Sequence, residues 1–160
     1  MIDNRILVKL VITFVLVGSY FFLPKYGFTF NGPFINHVFY PLSHANIWHL
    51  SANILCLWVL NCRFYIYATF VCAVLCSFLP CPQLPLWGGV CEPTMGFSGV
   101  LFAIVGVSWG KIGRFKAMIL RNKWFLIIPA FLPHVNFLIH IYCLMAGYLL
   151  GLCVRRYETS

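Results

Sequence analysis

The sequence predicts an all-α fold, a polytopic bundle of six membrane-spanning helices, from three observations. Hydrophobic residues make up 62% of the 160 positions and charged residues only 9%, where a soluble domain carries about 25% charged residues. Apolar runs recur six times, against a bilayer core that takes about 20 helical residues to cross. The basic residues alternate between successive loops, which separates two sides of a membrane.

The expected spans are 6–23, 47–61, 64–79, 97–110, 124–133 and 136–154, within a single membrane domain covering 1–160. The first run is longer than the apolar core of a signal peptide and no small-x-small cleavage site follows it, so it reads as a retained helix. The fourth and fifth runs are short. Assigning alternate loops to two sides puts Arg5, Lys9, Arg63, Lys111, Arg114, Lys116, Arg121, Lys123, Arg155 and Arg156 on one side and Lys25 on the other. Both termini are therefore expected in the cytoplasm. This pattern suits a bacterial inner membrane. It also accounts for the excess of 11 Lys+Arg over 3 Asp+Glu without a nucleic-acid partner; the expected partners are a lipid bilayer and membrane proteins.

The connections carry their own signals. The external segment 24–43 combines Gly27, Gly32, Pro33 and Pro41 with many aromatics, and is expected to be a compact element at the interface, where aromatic rings are enriched. The second external loop, 80–95, has too much Pro and Gly for a helix and leads straight into Gly96-Phe97-Ser98-Gly99. The basic run 111–123 is expected to be a cytoplasmic loop whose charges set topology, with anionic lipid binding as the other reading. Of the 8 cysteines, Cys56, Cys62, Cys72, Cys76, Cys143 and Cys153 fall within or at the ends of spans and read as apolar thiols. Cys81 and Cys91 share the second external loop, and an oxidising outer face would let them pair. No Cys/His cluster has metal-ligand spacing, so neither metal nor cofactor is expected.

The polar residues inside the apolar runs carry the chemistry, because such groups are costly in lipid. His44-x4-His49-x3-Asn53 heads the second span, Gly96-Phe97-Ser98-Gly99 opens the fourth, and His140 lies in the sixth. Ser98 lies 13 residues before Lys111, His49 14 before Arg63 and His140 15 before Arg155. At the helical rise these are heights of about 20, 21 and 22 Å above the basic rim. Asn53, four residues after His49, shares its helix face. Small residues at Gly99, Ala103, Gly106 and Gly110 match Gly147 and Gly151, a pattern that lets membrane helices approach closely. The fourth and sixth spans are thus expected in contact, with Ser98 near His140.

A serine hydroxyl needs a base to become nucleophilic, and histidine is the usual one. The acids are Asp3, Glu92 and Glu158, none inside a span. The His140 ring would then be held by packing, and Phe102, one turn below Ser98, is placed to stack on it. Acyl transfer also needs donors for the developing oxyanion, which His49, Asn53 and the Ser98 amide would supply. His44 would hydrogen-bond within the outer rim.

This set of residues resembles the rhomboid family of intramembrane serine proteases, over nearly the whole chain. The resemblance implies a six-helix core with Ser98 as nucleophile, His140 as general base, and His49, Asn53 and the Ser98 amide as oxyanion hole. It also implies transmembrane substrates cut near the outer face through an acyl-enzyme. Two positions depart from the family pattern: no Trp-Arg pair occurs in 24–43, and Cys143 stands where many members have Gly. The competing reading is a catalytically inactive relative that binds or escorts membrane clients. A transporter or channel would show paired charges or repeated broken helices near the midplane, and the sequence has neither.

Overall fold

Long runs of Leu, Val, Ile and Phe, broken by Gly and Pro at their ends, fold as helices in the computed structural model, which describes residues 4–60, 65–81, 93–124, 126–127 and 135–159. In chain order the helices are α1 (Asn4–Phe22), α2 (Phe34–Phe39), a 3₁₀ turn (Tyr40–Leu42), α3 (Ile47–Val59), α4 (Ile66–Ser77), α5 (Ser98–Ile112), α6 (Phe115–Arg121) and α7 (Phe137–Thr159). Among the described residues the extended structure is one isolated antiparallel bridge between Phe28 and Thr94.

Two helices are long and apolar enough to cross a bilayer, Asn4–Phe22 and Phe137–Tyr157. The 19 residues of α1 rise about 28 Å. It buries only Leu16 and Ser19 and turns Phe14 and Phe22 outward, as a lipid-facing helix should. Helices α3, α4 and α5 are shorter and apolar. The chain is a membrane protein built as an all-α bundle. Of the expected fifth span, 124–133, only residues 124, 126 and 127 are described, and Cys91 and most of 80–95 lie outside the described residues. Cys81 is a free thiol.

The centre of the bundle is α5, buried on nearly every face through Val100, Leu101, Phe102, Ala103, Ile104, Val107 and Trp109. A helix apolar all round belongs in a core. Its main neighbour is α7, and the two backbones touch. A Cβ on Gly147 would lie 2.8 Å from the Ala103 Cα, and one on Gly151 3.0 Å from the Gly110 Cα. The small-residue stripes thus do what their spacing predicts. Helix α5 stops at Gly113, which adopts φ 71° and returns its N–H to Trp109 O at 3.0 Å, a left-handed cap that suits glycine.

The basic segment departs from expectation. Residues 115–121 form helix α6 rather than loop. Phe115, Met118 and Ile119 pack against the core, and the Phe115 ring lies 4.5 Å from that of Tyr148. Their i, i+3, i+4 spacing is a helical apolar stripe, hidden in the sequence by the interleaved Lys and Arg.

Segment 24–43 is compact, as its aromatic content suggests. Phe28 and Thr94 exchange backbone hydrogen bonds of 2.9 and 2.8 Å, and Gly96 N–H donates to Tyr40 O at 2.9 Å. His37 and Ser77 hydrogen-bond side chain to side chain at 2.9 Å, and the His37 ring stacks on Phe78 at 4.2 Å. These ties fix the short stretch before Ser98 against segment 24–43 and the end of α4.

Candidate active site

Ser98 is the first residue of α5, so its N–H and those just after it lack helical acceptors. Two residues earlier, Gly96 has φ 124°, a conformation that excludes most side chains. A Cβ there would also meet the His49 ring, 2.6 Å from Cε1 and 2.7 Å from Nε2, with Asn53 Nδ2 at 3.5 Å. The sharp bend therefore exists where two polar side chains of α3 crowd the backbone leading to Ser98.

His49 and Asn53 reach that point because α3 presents them one turn apart on one face. The start of α3 is set by Asn46, whose side chain accepts from His49 N–H at 2.9 Å, a standard N-cap. Asn53 is 5% exposed, and its Nδ2 has no hydrogen-bond partner among the described residues.

Across the site, His140 Nε2 lies 2.8 Å from Ser98 Oγ. The imidazole lies flat on the Phe102 ring, centroids 4.5 Å apart and planes 11° apart. His140 is buried, and its Nδ1 has no partner among the described residues. A neutral ring that accepts the Ser98 proton at Nε2 carries its own proton at Nδ1. No carboxylate occurs among the described side chains, and the contacts shown for the ring are those with Ser98 and Phe102.

His44 packs beside His49 and the start of α5. Its Nε2 accepts from Phe97 N–H at 3.4 Å, and its ring meets that of His49 edge-on at 5.3 Å. Burial, followed by the neighbouring His49, pushes its pKa down to about 4, so it is a neutral acceptor at ordinary pH. Gly99, in the first turn of α5, leaves room for other groups: a Cβ there would meet the Tyr40 hydroxyl at 2.9 Å and Cys143 Sγ at 3.3 Å.

The structure therefore brings together Ser98, His140, His49, Asn53, His44, Gly96, Gly99 and Phe102. Sequence reasoning missed Tyr40, which is buried and donates to Ala73 O at 3.0 Å. It also missed His37. Both lie among many aromatics in 24–43, and no spacing distinguishes them. Their roles come from long-range contacts.

This constellation on an apolar helical bundle agrees with the comparisons to known proteins. Residues 31–157 match the Rhomboid domain model. A protein of Acanthamoeba polyphaga mimivirus, provisionally named as a rhomboid protein, is 27% identical over 145 residues, covering 86% of this chain and 85% of its own. The chain belongs to the rhomboid family.

Proposed function

We propose that the protein is an intramembrane serine endopeptidase that cuts transmembrane segments of other membrane proteins near the outer face of the bilayer. The observation that carries this reading is the 2.8 Å contact between Ser98 Oγ and His140 Nε2. It is joined by unpaired donor capacity at Asn53 and by the His49 ring beside Gly96.

In this mechanism Ser98 Oγ attacks the scissile carbonyl carbon while its proton passes to His140 Nε2. The carbonyl oxygen becomes an oxyanion that accepts from Asn53 Nδ2, the His49 ring N–H and the Ser98 N–H. His140 then gives its proton to the leaving amine, and an acyl-enzyme on Ser98 remains. Water, deprotonated by His140, hydrolyses the ester and restores the hydroxyl. A substrate helix must unwind locally before attack, since its carbonyls are otherwise hydrogen-bonded; helix-destabilising residues near the cut favour this.

The same reading takes the chain as one six-span domain over 1–160, with spans near 6–23, 47–61, 64–79, 97–110, 124–133 and 136–154. Both termini are cytoplasmic and the membrane is a bacterial inner membrane. The positive-inside distribution of basic residues supports that orientation.

The test is labelling of detergent-solubilised protein with a fluorophosphonate probe, wild type beside Ser98→Ala and His140→Ala. Label on wild type and on neither variant is the expected result. A folded wild type without label would favour a non-catalytic relative that binds membrane clients, whose function Ser98→Ala would leave intact.

A further inference from the structure

Four buried side-chain polar atoms have no hydrogen-bond partner among the described residues: His44 Nδ1, Asn53 Nδ2, Asn136 Oδ1 and His140 Nδ1. All four belong to residues that meet the short stretch 94–98. His44 accepts from Phe97 N–H at 3.4 Å, Asn53 Nδ2 lies 3.5 Å from where a Gly96 Cβ would stand, and His140 Nε2 lies 2.8 Å from Ser98 Oγ. Asn136 Nδ2 donates to Thr94 Oγ1 at 3.0 Å. An imidazole whose Nε2 accepts carries its proton on Nδ1, so the two histidine atoms are donors, as is Asn53 Nδ2. Asn136 Oδ1 is the acceptor of the group, and the hydrolytic mechanism does not use it.

Its surroundings hold that oxygen ready. Asn136 stands immediately before α7 (Phe137–Thr159), where an asparagine oxygen ordinarily accepts from the N–H groups of the first helical turn. Here the side chain turns to Thr94 and the oxygen is left over. Thr94 is itself fixed, because its N–H and C=O both pair with Phe28, at 2.8 and 2.9 Å. Asn136 lies four residues before His140 and Thr94 four before Ser98, so the pair ties together the two segments that carry the dyad. A buried acceptor without a donor is costly to the fold, as is the unpaired Asn53 donor. Both costs vanish when a bound peptide supplies the missing partners.

We propose that Asn136 is a substrate-binding residue whose Oδ1 accepts a backbone N–H of the peptide flanking the scissile bond. The proposal rests on the protease reading of the site and adds a requirement on its substrates. A transmembrane helix that unwinds beside Ser98 exposes N–H groups as well as carbonyls, and in a water-poor setting each needs a new partner. Asn53 meets the scissile carbonyl; Asn136 meets one N–H. Holding a carbonyl and an N–H of the same extended segment fixes both its place and its direction across the dyad. A residue without an N–H is excluded from the matched position. Proline helps a helix unwind elsewhere near the cut, but is rejected there.

The experiment labels full-length protein in detergent with probes that differ in that group. An alkyl fluorophosphonate has no peptide N–H. An acetylated oligoalanine diphenyl phosphonate has several, and a set of analogues replaces each in turn by N-methyl. In wild type, one N-methyl analogue is expected to label about tenfold more slowly than the parent peptide, the scale of one hydrogen bond. In Asn136→Leu that difference disappears, and the ratio of peptide to alkyl labelling rates falls about tenfold. The ratio cancels any damage to the dyad, which both probes share. Asn136→Ala is measured in the same way and carries the comparison should Asn136→Leu not fold. N-methyl discrimination that survives in a folded variant, or peptide and alkyl rates that fall in equal proportion, would overturn the proposal and leave Asn136 as a tie to Thr94. Wild type that labels with the alkyl probe but not with the peptide, or that treats all the peptide analogues alike, would overturn it as well. Wild type that labels with neither probe sinks the protease reading, and this inference with it.

Discussion

The Phe102 ring lies parallel to the His140 imidazole, 4.5 Å away and tilted by 11°, and in the proposed mechanism this packing orients a ring that a carboxylate orients in a serine–histidine–aspartate triad. A stacked ring fixes the imidazole plane but does not stabilise the imidazolium as a carboxylate would. Phe102→Leu keeps a large apolar side chain in the core while removing the flat surface. Fluorophosphonate labelling of Ser98 is expected to slow by about 10- to 100-fold, in line with the cost of a misplaced catalytic group. Phe102→Tyr keeps the surface and is expected to stay close to wild type. Equal rates for the Leu variant and wild type would show that packing elsewhere orients the ring.

Gly96 is a position where the backbone and the site make the same demand. Its φ of 124° strains any residue with a Cβ, and that Cβ would press on the His49 ring at 2.6 Å. Gly96→Ala is therefore expected to turn His49 away and shift Ser98 together. Loss of labelling by more than about 10²-fold is expected, the scale of removing one oxyanion donor. Circular dichroism should show helix content retained, because the change sits before α5. Labelling at the wild-type rate would mean that neither His49 nor the bend matters to Ser98.

How much of this was legible beforehand follows from the range of the interactions. Helices α1, α3, α4, α5 and α7 come from long apolar runs, a local signal. The meeting of Ser98 with His140 was legible because both could be counted upward from basic rims on helices of fixed rise, and because glycine stripes marked which helices touch. The stacking of Phe102 followed from its one-turn offset. Helix α6 was hidden because charge, read as loop, masked Phe115, Met118 and Ile119. The parts played by Tyr40 and His37 were not legible. Each depends on how segment 24–43 and α4 return to the start of α5, which no local pattern encodes.

His44 makes stability depend on pH. Burial, and then the adjacent His49, lowers its pKa from 6.5 to about 4, and His37 is lowered too, chiefly by burial. The unfolded chain therefore takes up protons at a higher pH than the folded one. Stability is complete above about pH 6.5, falls as the pH drops toward about 4, and levels off below that, with His44 contributing a slope of at most about 1.4 kcal/mol per pH unit. Thermal unfolding in detergent between pH 8 and pH 4.5 is expected to show this decline. His44→Gln, which keeps an acceptor for Phe97 N–H, should make it shallower. Parallel curves for the two proteins would remove His44 as a cause.

Asn53 separates stability from reactivity. Its buried Nδ2 has no partner among the described residues, and a buried donor left unpaired costs about 1–3 kcal/mol. A residue chosen for folding alone would be apolar here. Asn53→Leu keeps the same branched heavy-atom skeleton and removes that penalty, so its melting temperature in detergent is expected to equal or exceed that of wild type. In the proposed mechanism the same change removes an oxyanion donor, and labelling should slow by about 10²- to 10³-fold. A variant both less stable and fully reactive would reverse the assignment, making Asn53 a structural residue. A variant more stable but slower is what a donor held ready for charge that appears only during reaction requires.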